Sequence, residues 1–82
     1  MDTIIITFEN RDTKFCTDIE VPLDISADDL VTALNVAYHL EMDTPEKRFL
    51  RAERPYALIK GNATLRELGL RDASHVYHQK GA

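Results

Sequence analysis

The sequence predicts an α+β fold in which one long helix lies across one face of a mixed sheet of four to five strands. Two observations lead to this prediction. Only residues 26–40, SADDLVTALNVAYHL, keep a helical hydrophobic period over their whole length. The segments before and after them alternate apolar and polar residues over short runs, which is typical of strands. The predicted order of elements is β-β-α-β-β-short helix-β.

The helix is predicted to begin at Ser26. A serine followed three residues later by Asp29 resembles a capping box, and acidic residues in the first turn suit the positive end of the helix dipole. Residues placed about 100° apart form one broad apolar face, which is expected to pack on the sheet. Its members are Ala27, Leu30, Val31, Ala33, Leu34, Ala37 and Tyr38. Asn35 and His39 fall on the opposite, exposed side.

The first two strands are predicted to form a β-hairpin. In residues 3–9, three large apolar side chains alternate with outward residues, among which Ile5 is the apolar exception. A polar turn follows, and residues 15–21 alternate again up to Pro22. Outward charges and a terminal proline on the second strand are typical of an edge strand.

The C-terminal half is predicted to contain three short strands. Residues 41–47 are polar and form a loop, and residues 49–54 and 57–60 are the first two strands. Residues 64–70, TLRELGL, space their leucines like one turn of helix, with a glycine able to cap it in the left-handed conformation. In the last strand, residues 74–79, Val76 and His78 face one side, while His75 and Tyr77 face the other.

The order of these elements favours one topology. The first and last strands lie side by side in parallel at the centre of the sheet, and the helix crosses one face with a right-handed connection. This arrangement is the β-grasp.

Composition limits the possible functions. With 82 residues the chain is expected to form one domain. Fourteen acidic and ten scattered basic residues argue against nucleic-acid binding and favour protein partners. The longest apolar run is three isoleucines, too short to span a bilayer, so no membrane insertion is expected. The single cysteine, Cys16, forms no internal disulfide, and a cytoplasmic location is expected.

No catalytic set of residues, phosphate-binding loop or cofactor motif is visible, so neither enzymatic activity nor a cofactor is expected. His75 and His78 are spaced like metal ligands. However, residues three apart on a strand point to opposite faces, so no metal site is expected.

Several segments carry a resemblance to known proteins. The hairpin, the helix and residues 64–72, TLRELGLRD, resemble ubiquitin-like proteins, in which a similar turn leads into the final strand. The chain is most similar to the small YukD/EsaB proteins of type VII (WXG100, ESX-like) secretion systems. That similarity lies in residues 18–21 (DIEV), 29–38 (the helix), 49–51 (FLR) and 65–70 (LRELGL). It implies a cytosolic accessory protein of such a system, with membrane components of the secretion complex as partners.

Conjugated modifiers and sulfur carriers of the ubiquitin-like type end in Gly-Gly, whereas residues 79–82 read Gln-Lys-Gly-Ala. A non-conjugating protein is therefore expected, and a sulfur carrier or modifier is the less favoured alternative. A further alternative is a small β-grasp subunit of a multicomponent enzyme, such as a bacterial diiron monooxygenase.

Two exposed apolar surfaces are the candidate partner-binding sites. Ile5, Tyr77 and Leu50 are expected to share the outer face of the sheet, which docks partners in ubiquitin-like proteins. Val36 and Leu40 form a second pair, one helical turn apart on the side away from the core. The alternatives are that these are isolated surface residues and that Leu40 folds under the loop into the core.

Overall fold

The computed structural model describes residues 2–54 and 56–79, apart from the side chain of Pro45. Five strands and one α-helix make up the regular structure. They are β1 (Thr3–Asn10), β2 (Phe15–Pro22), α1 (Ala27–Tyr38), β3 (Leu50–Glu53), β4 (Ala57–Ile59) and β5 (His75–His78).

The strands form one mixed sheet in the order β2-β1-β5-β3-β4. β1 pairs with β2 in antiparallel over its full length and with β5 in parallel. On the other side of β5, β3 pairs in antiparallel with both β5 and β4. The first and last strands are therefore central neighbours.

The core lies between α1 and one face of the sheet. Alternation along β1 turns every second side chain toward the helix, and those side chains are buried. The core residues on the strands are Ile4, Ile6, Phe8, Val21, Leu50, Ala52, Ile59 and Val76. Leu65 and Leu70 close the core from the loop before β5.

The helix is shorter and its buried face narrower than the sequence predicts. It has 12 residues, begins after Ser26, whose Oγ accepts a hydrogen bond from the Asp29 N–H at 3.1 Å, and ends at Tyr38. Only Ala27, Leu30, Val31 and Leu34 are buried. Ala33 and Ala37 are exposed, because a cylinder on a sheet makes contact along one stripe and small side chains at its margins do not reach the core.

The chain leaves the helix through a left-handed residue, His39, with φ 53°. Asn35 holds this exit: its carbonyl accepts from the Leu40 N–H at 3.2 Å, and its side-chain Oδ1 accepts from the Met42 N–H at 3.1 Å. The prediction of a freely exposed Asn35 is therefore wrong, because its amide fixes the following loop.

The predicted short helix at residues 64–70 is a series of hydrogen-bonded turns. Thr64 and Glu67 form a reciprocal capping box, with each side chain accepting from the other's N–H at 2.9 and 3.1 Å. Gly69, with φ 82°, closes the other end, and the Leu70 N–H bonds to the Leu65 carbonyl. The capping box at one end and the turn at Gly69 together span the whole segment, so no helical turn lies between them. A 3₁₀ helix, Pro45–Lys47, forms instead within the stretch predicted to be a loop.

Candidate functional site

The outer face of the sheet, opposite α1, is built by the outward residues of all five strands. One cross-strand row crosses this face near the turn between β1 and β2, because neighbouring residues in register share a side. From β2 to β4 the row reads Cys16, Glu9, Tyr77, Arg51 and Leu58. Tyr77 on the central strand therefore has charged residues on both sides.

Arg11 covers the Tyr77 ring. Its guanidinium carbon lies 3.5 Å from the ring centroid, close enough for a cation–π contact. The same guanidinium joins two strands, with its Nη2 3.1 Å from Glu53 Oε1 and its Nε 3.4 Å from Glu9 Oε1. The predicted apolar surface at Tyr77 is consequently a half-buried ring under a cation.

His75 completes this network. Its Nε2 lies 2.7 Å from Glu9 Oε1. The hydrogen bond from His75, helped by the neighbouring Arg11 guanidinium, lowers the pKa of the Glu9 carboxyl below its ordinary value, although partial burial opposes the shift. The Glu9 carboxylate therefore accepts hydrogen bonds from both His75 and Arg11.

A cleft of about 140 Å³ opens beside Tyr77, between the loop that follows α1 and the ends of β3 and β5. Its floor is apolar and its rim is charged. The floor is made of Leu40, Met42, Phe49, Leu50 and Tyr77, and the rim includes Glu46, Lys47 and Arg51. Asn35 and Arg48 hold the loop in place, because Arg48 Nε donates to the Met42 carbonyl at 3.3 Å and Asn35 accepts from the Met42 N–H.

Two of the predicted site residues are buried, contrary to expectation. Leu50 is 1% exposed because Arg51, not Leu50, is the partner of Tyr77 and takes the outward position on β3. Leu40 is 3% exposed because the left-handed turn at His39 directs it into the core, as the alternative interpretation has it. Both nevertheless line the cleft together with Tyr77.

The other two apolar candidates are exposed but lie apart from the cleft. Ile5 is 52% exposed on the outer face and pairs with Glu20. It is about 13 Å along β1 from Glu9, at roughly 3.3 Å per residue. Val36 is 70% exposed on α1, on the opposite layer of the molecule. The structure thus brings together Leu40, Leu50 and Tyr77, and leaves Ile5 and Val36 separate.

The architecture has close counterparts among solved structures. The ubiquitin-like domain from tubulin-binding cofactor B superposes with a TM-score of 0.69 at 20% identity, covering 93% of this chain and 87% of that one. A ubiquitin-like domain of an Arabidopsis thaliana protein superposes with a TM-score of 0.66 at 15% identity, covering 94% and 76%. The fold is that of ubiquitin-like domains.

The ubiquitin-like fold also occurs in a different setting. A chain from the toluene 4-monooxygenase HD complex with the inhibitor 4-bromobenzoate superposes with a TM-score of 0.63 at 20% identity, covering 95% of this chain and 100% of that one. No family model matches the sequence, and no curated protein matches it. At these identities the likeness establishes the ubiquitin-like fold alone.

Sequence reasoning missed two residues of this site. Arg11 lies in the predicted turn between the first two strands, and no sequence pattern links it to Tyr77, which follows 66 positions later. Leu58 is 53% exposed beside Arg51. Its orientation follows from the buried Ile59 next to it, so the alternation in β4 could have identified it.

Side chains that could take part in catalysis or bind a metal are not clustered in the part of the chain that the structure describes. His75 faces outward, whereas His78 faces inward and is buried, so the two rings lie on opposite sides of the sheet. Among the residues that the structure describes, no three His, Cys, Asp or Glu side chains are grouped as metal ligands. Within the same residues, no helix is long and apolar enough to cross a membrane. Lys80, Gly81 and Ala82, which bear on conjugation, lie outside the described residues.

Proposed function

We propose that this chain is a protein-interaction module that binds its partner at the Tyr77 end of the outer face and in the adjoining cleft, without catalysing a reaction. The cleft carries the argument. An apolar floor open to solvent beside an exposed arginine can bury an aliphatic side chain of a partner and orient it through the charged rim. The floor is pre-formed, since buried core residues supply Leu40, Met42 and Leu50.

The module is a non-conjugating accessory protein of a type VII secretion system in the cytoplasm, and its partner is a membrane component of that system. Support comes from the resemblance of residues 18–21, 29–38, 49–51 and 65–70 to YukD/EsaB proteins.

A second candidate is a small docking subunit of a multicomponent monooxygenase. One observation favours it: the chain from the toluene 4-monooxygenase HD complex is covered over its full length by this chain. Such a subunit would use the same cleft to contact a larger protein.

Affinity capture from the source cells tests this proposal. The tagged chain is expected to retain an FtsK-like membrane ATPase or WXG100 proteins, identified by mass spectrometry, and Arg51→Glu combined with Tyr77→Ser is expected to abolish that capture. Val36→Ser is the control, because it makes an exposed apolar side chain polar on the opposite layer. Thermal melts establish that both variants are folded.

The outcomes separate the candidates. Capture of oxygenase subunits, lost in the cleft variant, would assign the second function. Capture that the cleft variant retains and Val36→Ser loses would place the binding surface on α1 and refute the cleft as the site.

A further inference from the structure

The end of the outer face around Ile5 has its own pattern of charge. Three carboxylates accept hydrogen bonds from the three successive outward residues of β1. These bonds join Thr3 Oγ1 to Glu20 Oε2 at 2.6 Å, Ile5 N to Asp72 Oδ1 at 2.9 Å, and Thr7 Oγ1 to Asp18 Oδ1 at 2.9 Å. The carboxylates come from β2 on one side and from the loop before β5 on the other, so they enclose Ile5.

None of these carboxylates forms an ion pair with any residue in 2–54 or 56–79. Even Arg71, the sequence neighbour of Asp72, is not paired with it. Their donors are two hydroxyls and one amide, which orient the oxygens but leave their negative charge uncompensated. The surface around the exposed Ile5 is therefore both apolar at its centre and anionic at its margin.

We propose that this Ile5 end is a second docking surface, and that its occupant is a protein segment in which lysine or arginine residues flank an aliphatic side chain. The aliphatic side chain packs on Ile5, and the flanking cations pair with Asp18, Glu20 and Asp72. The formal charge of −4 attracts a basic segment at longer range and repels phosphate backbones. This surface shares no residue with the cleft, so the inference goes beyond the proposed function.

Protection of a sheet edge is the competing explanation. β2 is an edge strand, and charged side chains on such strands discourage pairing with other chains. That explanation covers Asp18 and Glu20 on β2. Asp72 lies on the opposite side of β1, where it accepts from the Ile5 N–H beyond the part of β1 that pairs with β5. Carboxylates therefore lie on both sides of Ile5, and only those on β2 belong to the edge strand.

The test uses peptide probes and backbone amide shifts of the full chain labelled with ¹⁵N. The basic probe is Lys-Lys-Lys-Leu-Lys-Lys-Lys, and its two matched probes replace leucine by serine or every lysine by glutamate. The leucine probe is expected to shift the amides of residues 3–7, 18–20 and 72 and to bind more tightly than the serine probe. The glutamate probe is expected to shift none of them.

Variants then show which side chains contribute to the affinity for the leucine probe. Asp18→Asn with Glu20→Gln should weaken the leucine probe about tenfold, because two exposed ion pairs are lost. Asp29→Asn with Asp43→Asn changes the net charge equally, away from Ile5 and outside the lining of the cleft, and should weaken it much less. Ile5→Ser should remove the preference for leucine over serine while the melting midpoint stays nearly unchanged.

Three results would overturn the proposal. One is an equal loss of binding in the two charge variants, which would mean non-specific attraction to an acidic protein. Another is a set of shifts centred on Tyr77. The third is retained peptide binding with new self-association of the Asp18→Asn, Glu20→Gln variant, which edge protection predicts. None of the three refutes the cleft function: the first and third involve residues outside the cleft, and shifts centred on Tyr77 would place the peptide at the cleft itself.

Discussion

The Tyr77 end and the Ile5 end of the outer face both include residues of β1 and β2, yet their carboxylates have different kinds of partner. At the Tyr77 end, Glu9 and Glu53 are bridged by Arg11, and Glu9 also bonds His75. At the Ile5 end, the carboxylates are bonded only to neutral donors.

The difference shows that strand alternation predicts the face on which a residue lies. It does not predict whether the charge of that residue is paired. Arg11 reaches Glu9, Glu53 and Tyr77 from the turn between β1 and β2 and pairs with both carboxylates. No residue that the structure describes does the same around Ile5. Charges at the first end therefore contribute to folding, and those at the second remain available for recognition.

The largest effect is expected from a change in the core beneath both ends. Leu34→Ala should lower the free energy of unfolding by about 2 to 5 kcal/mol, because it removes buried methyl groups between α1 and the sheet. The leucine peptide should still bind the folded fraction, since no surface group changes. Urea melts measure the loss. The control is Ala33→Ser at the exposed residue directly before Leu34, and its free energy of unfolding should stay within about 0.5 kcal/mol of the parent. A similarly small change for Leu34→Ala would show that the buried face of α1 is misassigned.

A smaller effect is expected at the loop that forms the cleft, and it should affect the Tyr77 end alone. Asn35→Ala removes the acceptor of the Met42 N–H and should cost about 1 kcal/mol. Amide exchange of residues 40–43 should accelerate, whereas binding of the leucine peptide at the Ile5 end should not change. Asn35→Asp keeps an acceptor oxygen at the same place and serves as the control. If alanine and aspartate variants exchanged at the same rate, the side-chain bond would have no part in holding the cleft.

The smallest effect is expected from acid, and it concerns Glu9 at the Tyr77 end. The pKa of Glu9 is lowered, chiefly by the hydrogen bond from His75, so its carboxylate stabilises the fold above its ordinary pKa of 4.5. That contribution is lost as the pH falls through the lowered value in the folded state. Below about pH 4.5 the parent should lose stability more steeply than Glu9→Gln.

Glu20→Gln, which alters a carboxylate without a cationic partner at the Ile5 end, is the comparison for this measurement. Urea midpoints between pH 7 and pH 3 decide between the two ends. Matching pH profiles for the two variants would mean that the His75–Glu9 contact does not stabilise the folded state.

Local periodicity predicted the elements well, because β1 and the start of α1 each bury one side over many residues, and residues 17–21 of β2 alternate between less and more exposed side chains. It failed for Leu50 because β3 has only four residues, too few to show which alternate set is buried. Leu40 was misplaced because a helical period was extended past His39, where the backbone turns left-handed.

The site was less predictable than the fold because its parts are distant in sequence. The cleft combines a loop after α1 with the last strand, and the Arg11–Tyr77 contact joins residues at opposite ends of the chain. Neither arrangement has a local pattern. Ile5 was identified from the sequence because an isoleucine in an outward position breaks the alternation of its own strand.

The central place of β5 governs the order in which this protein can be assembled during its synthesis. Of the five strands in residues 2–54 and 56–79, β5 leaves the ribosome last, yet it lies between β1 and β3 and joins them. A nascent chain can form the β1–β2 hairpin and lay α1 against it, and it can pair β3 with β4. The β1–β2 and β3–β4 pairs share no paired strand until residues 75–78 emerge, and these final pairings span most of the chain. Completion of the fold, and of the cleft at its seam, is thus delayed until translation has passed the last strand.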